Sequence, residues 1–137
     1  LVLDANGDAL RKAINSAVNS AYKLRAISQK EQTKTKTQSA RLFKALWESV
    51  WLYPAKVTDC TTGKSCITTS YENSLAIYEK NFAALKALAD SVSKKLRKSK
   101  TSRVKRLGTT LSSKVTRAQQ DSVQSTALLP KTVKFCN

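Results

Sequence analysis

Leu75, Tyr78, Phe82, Leu85, Leu88, Val92 and Leu96 recur at steps of three and four along a segment that contains neither Gly nor Pro. That spacing draws a single apolar stripe down a helix, and the stripe needs a second apolar surface to cover it. Comparable stripes run through Leu10, Ile14, Ala17, Ala21 and Leu24, and through Val104, Leu107, Leu111, Val115 and Ala118. The most apolar segment, Leu42, Phe43, Leu46, Trp47, Val50 and Trp51, supplies another and is expected at the centre of the core, with both Trp rings buried. Four such segments covering one another make an all-α chain, a compact bundle of about four helices in one domain, 1–137. Only three Gly and two Pro in 137 residues argue against a sheet protein with many tight turns.

The boundaries follow from local signals. Residues 1–7 read as a loose lead, with Asn6 or Asp8 capping a first helix that runs to about Gln29. Residues 30–38 have no apolar member and carry Thr at every second position, so they read as a connector. Pro54 ends the second helix by pushing Tyr53 out of the helical region. Thr69 and Glu72 have the spacing of a capping box for the third helix. Residues 99–102 have no apolar side chain and place a turn before the fourth. After Pro130 an extended C-terminal tail packs back on the body.

Cysteines stand at 60, 66 and 136. Cys60 and Cys66, in a Thr/Gly/Ser-rich stretch, are expected to form a disulfide-closed loop, which implies an oxidising compartment. Cys136 is then free, joined to another chain as a dimer, or the true partner of Cys60 or Cys66. The absence of Met and the start at Leu1 fit a processed secreted chain, and equally a chain trimmed at its start. No apolar run approaches the length of a transmembrane segment. Gly63-Lys64-Ser65 resembles the end of a phosphate-binding loop, but the first Gly of that motif would fall at Thr58 and no strand is expected before it.

The charge is one-sided. Lys and Arg number 25 against nine Asp and Glu, a net charge of +16. Residues 91–120 contain no acid and carry Lys94, Lys95, Arg97, Lys98, Lys100, Arg103, Lys105, Arg106, Lys114 and Arg117. Self-repulsion of this size is retained when a partner uses it. These ten form the expected partner-binding face.

Chemistry finds little to work with. There is no His, so the commonest general base is missing, and no carboxylates pair closely in sequence. No metal-ligand spacing, catalytic motif or cofactor motif is present. The expectation is a non-enzymatic binding protein.

In overall character the chain resembles the small, basic, all-helical salivary proteins of blood-feeding insects, in particular the anopheline family of albicin-type complement inhibitors and anophensin-type contact-pathway inhibitors. The resemblance lies in size, helix-rich sequence, the basic run 94–106, and Cys60, Cys66 and Cys136; basic helical sperm proteins of marine molluscs share the same general character. It implies a secreted inhibitor that docks on an acidic protein or protease complex of host plasma, without catalysis. Two alternatives stand beside it. One is a polyanion binder of sulfated glycan, or of nucleic acid, which ranks lower because no finger or RNP signature is present. The other is a membrane-active amphipathic helix.

Overall fold

The structure is a computed structural model that describes residues 2–52, 54–59, 63 and 65–136, with the backbone alone at 2 and 59. Four helices dominate: α1 (Val2–Lys23), α2 (Gln29–Leu52), α3 (Glu72–Arg97) and α4 (Ser102–Leu128). Three short strands, β1 (Ala55–Asp59), β2 (Cys66–Ser70) and β3 (Thr132–Cys136), make an antiparallel sheet in the order β1-β2-β3. The all-α expectation holds, with the sheet a minor addition.

Side-chain bonds between helices fix their directions. Asn19 and Asn15 of α1 meet Gln32 and Ser39 of α2, and Ser93 and Tyr78 of α3 meet Gly108 and Ser122 of α4. In each case numbers rise along one helix as they fall along its neighbour, and Asn81 on Ala45 with Lys95 on Glu31 does the same for α3 and α2, so the helices run up, down, up, down. The core lies on the common axis. Ile14, Leu46, Tyr78 and Leu85 are completely inaccessible, and Leu10, Phe82, Leu96, Val104, Leu111 and Val115 pack around them. The third stripe is buried as its spacing predicts, with Leu88 and Val92 at its margin.

Two glycines allow close approach. A Cβ on Gly108 would lie 2.7 Å from the Ser93 carbonyl oxygen and 2.9 Å from the Arg97 amide nitrogen. Gly108 therefore exists for the α3–α4 crossing, where Ser93 Oγ donates to the Gly108 carbonyl at 2.7 Å. At Gly7 a Cβ would meet only the flexible end of Leu46.

Several boundaries differ from the sequence-based expectation. α1 begins at Val2 rather than after a loose lead, and ends at Lys23 instead of near Gln29. Residues 30–38 are the first turns of α2, not a connector. Ser28 Oγ accepts the Glu31 amide N–H at the helix start. Polar contacts anchor the segment in place of an apolar stripe: Gln32 Nε2 donates to Asn19 Oδ1 at 2.8 Å, and Ser39 Oγ lies 2.9 Å from Asn15 Oδ1. The capping box does not form. Thr69 lies in β2, and α3 starts at Glu72 behind Tyr71, which offers no side-chain cap. α2 does end at Leu52, before Pro54; Tyr53 lies outside the described residues. The turn expected at 99–102 is present, between Arg97 and Ser102.

Trp47 and Trp51 are not core residues. They are 45% and 50% exposed, with ring centroids 6.3 Å apart, and Trp51 Nε1 donates to Asp4 Oδ2 at 3.1 Å. The buried edge of α2 consists of Ser39, Leu46, Ser49 and Val50. Each Trp follows one of these by a single residue, about 100° further round the helix.

The cysteine pairing also changes. Cys66 and Cys136 oppose one another across β2 and β3 and are joined by a disulfide. Cys66 is thus unavailable to Cys60, which lies outside the described residues, and Cys136 is unavailable for an interchain bond. The expected Cys60–Cys66 loop is replaced by a covalent link to the tail. The tail accordingly packs along β2 rather than on the helices, leaving Val133 and Phe135 exposed. A strand, β1, does precede Gly63, contrary to expectation; β2 rather than a helix follows it, which is not the strand–loop–helix order of a phosphate-binding loop.

Candidate binding surface

All ten cations singled out from the sequence are exposed. The eight from Lys94 to Arg106 gather where α3 turns into α4. Lys114 and Arg117 lie further down α4, beside Lys12 of α1.

The up-down course of the bundle brings a second basic segment to the same end. The α1–α2 turn carries Lys23 and Arg25, and α2 opens with Lys30, Lys34 and Lys36. Lys23 shares a cleft with Arg103 and Arg106, and Lys34 shares another with Lys95. Residues 23–36 and 94–106 together hold thirteen of the 25 Lys and Arg and one acid, Glu31. That acid is occupied by an ion pair with Lys95, which ties the start of α2 to the end of α3. Three-quarters of the molecule's excess charge therefore sits at one end. The five cations of the first segment were not singled out from sequence. The signal was there, since short turns in an antiparallel bundle place its first and third connections together.

The basic residues of this end differ in their local energetics. Lys94, Lys95 and Arg97 occupy the last turn of α3, where the helix dipole favours positive charge. A structural reason alone accounts for them. α4 is the reverse case. Its first turn has no acid and carries Arg103 and Lys105, and Thr101 supplies no side-chain cap. Positive charge at a helix N-terminus opposes the dipole.

Arg25 stands against local preference too. The Ala26 amide N–H donates to the Ala21 carbonyl at 2.8 Å and that of Arg25 to the Tyr22 carbonyl at 2.9 Å, the paired bonds of a Schellman motif. The motif puts Arg25 in the left-handed region, φ 60°, where glycine is the usual residue. Beside it, Tyr22 is exposed and offers the basic end an aromatic contact.

The opposite pole is different in kind. The sheet packs mainly on itself, with Val57, Ile67, Val133 and Phe135 exposed. Asp8 holds Arg11 at 2.6 Å and Lys12 at 3.0 Å. Burial pushes the Asp8 carboxyl up, and the hydrogen bonds and charges of Arg11 and Lys12 outweigh it, so the group titrates below its ordinary value. Among the described residues, no three His, Cys, Asp or Glu side chains gather as a metal site, and no helix is long and apolar enough to cross a membrane.

No protein-family model, curated protein or solved structure matches this chain.

Proposed function

We propose that the protein is a secreted, non-enzymatic binding protein whose basic end docks on an acidic surface of another protein. The observation that carries this reading is the gathering of thirteen cations against one paired acid where the α1–α2 and α3–α4 turns meet. A field of that sign steers an acidic partner and orients its approach. Arg25 in a glycine conformation, and Arg103 and Lys105 at the wrong pole of α4, add support, because neither placement helps the fold. Tyr22 is the aromatic anchor such an interface uses. The Cys66–Cys136 disulfide fits an extracellular setting. A host plasma protease complex of the complement or contact pathway is the narrower form of the proposal, and its support is the resemblance to insect salivary inhibitors.

The test reverses Lys94, Lys98, Lys100 and Lys105 together to Glu, sparing Lys95 for its ion pair and Arg97 for its packing against Gly108. Helical circular dichroism should be retained. A pull-down from plasma across a salt series, followed by titration of the purified retained protein, should show binding lost in the variant. Undiminished binding by the reversed variant would sink the proposal.

A further inference from the structure

Beyond the basic end, a line of cations continues down the seam between α1 and α4. Near the turn, Lys23 faces Arg103 and Arg106 across a cleft of about 360 Å³, with Ser20 and Thr110 on its walls. Lower down, Lys12 faces Lys114 and Arg117 across a second cleft of about 410 Å³, where Ser16 stands on the α1 side. The two clefts share the same pair of helices. From Arg103 to Arg117 the row spans about 21 Å at 1.5 Å per residue. Acid enters only at the far end, where Asp121 lines the second cleft and Asp8 pairs with Lys12.

We infer that this seam is a groove for a linear sulfated polysaccharide. Cations on both banks, with hydroxyls between them, match a chain that carries sulfates along its length and sugar hydroxyls between the sulfates. Small residues in the lower cleft, Ala9, Ala13 and Ala118, let a narrow chain approach the helices closely. The lining has no aromatic side chain on which bases could stack, which disfavours single-stranded nucleic acid. It also lacks the aromatic anchor of a protein interface; among the described residues the exposed aromatics are Tyr22, Trp47, Trp51 and Phe135, none of which lines either cleft. The groove thus overlaps the protein-docking end at Lys23, Arg103 and Arg106 and continues beyond it between α1 and α4.

Purified heparin oligosaccharides of graded length test it by calorimetric titration at several salt concentrations. Affinity should rise with length until the groove is filled and then level off per site. Arg106→Ala, Lys114→Ala and Arg117→Ala combined should weaken binding about tenfold or more and lower the salt slope by roughly one per cation removed. The control carries Lys80→Ala, Lys131→Ala and Lys134→Ala, three exposed cations outside the groove with the same loss of charge, and should change affinity less than about twofold. Equal losses in the two variants would overturn the inference, as would affinity indifferent to length. It also fails if single-stranded DNA of matched charge binds as tightly and is lost in parallel. These titrations contain no partner protein, so their result is independent of the docking experiment.

Discussion

The Tyr78 hydroxyl lies 2.8 Å from Ser122 Oγ, both groups buried between α3 and α4. Removing one partner strands the other, so Tyr78→Phe should cost about 1 kcal/mol in urea unfolding, and Tyr78→Phe with Ser122→Ala less than the sum of the two single changes. Burial raises the Tyr78 pKa above its ordinary 10, with the Ser122 hydrogen bond pulling the other way. A raised folded-state pKa means stability that is fully present below the unfolded value and lost as pH climbs through the folded one. The difference between wild type and Tyr78→Phe should therefore shrink on the alkaline side, which urea midpoints measured from pH 8 upward will show.

The α3–α4 crossing tolerates no methyl group at its closest point. Gly108→Ala presses on the Ser93 carbonyl and the Arg97 amide, neither of which can rotate away. Overpacking should outweigh the helix-propensity gain and leave a net loss of about 1–2 kcal/mol. Gly7→Ala meets only the Leu46 side chain and should cost distinctly less. Denaturant midpoints of the pair separate backbone from side-chain crowding.

Arg25→Gly removes a side chain from the left-handed region at the end of α1. It should raise stability by about 0.5–1 kcal/mol while weakening capture of the acidic partner. Thermal melts and the binding titration, run on one preparation, check both halves.

Arg103→Glu makes the same point at α4, giving the helix dipole the acid its first turn lacks. A gain of about 0.5 kcal/mol is expected, together with a loss of affinity. If Arg103 served the fold, the melting temperature would fall instead.

Cys66→Ser opens a covalent loop whose ends are 70 residues apart. The chain-entropy account gives a loss of about 4 kcal/mol. Because the sheet packs mainly on itself, far-ultraviolet dichroism of the helices in native buffer should remain, while the urea midpoint falls.

What the sequence made legible was whatever repeats with the period of a helix. The stripe from Leu75 to Leu96 is buried as its spacing requires, and the turn at 99–102 breaks the pattern where Ser, Thr and Lys displace apolar residues. The opening of α2 was illegible because polar side chains hold it: Gln32 on Asn19 and Ser39 on Asn15 leave no apolar trace. Trp47 and Trp51 misled for the opposite reason, since size suggested burial while Ser39 and Ser49 took the inward positions. The cationic run in α3 and α4 was plain, but its union with Lys23, Arg25, Lys30, Lys34 and Lys36 follows only from the antiparallel order that short turns impose, not from any local pattern. Cys66 had two candidate partners, and only the strand register placing Cys136 opposite it distinguishes them.

The link between β2 and β3 has a bearing on survival among proteases. It closes residues 66–136 into a covalent ring that contains α3, α4 and the exposed basic turn between them. Lys98 and Lys100 make that turn an obvious site for a trypsin-like enzyme. A single cut there would linearise the ring without releasing a fragment, leaving both halves of the basic segment tethered to one molecule.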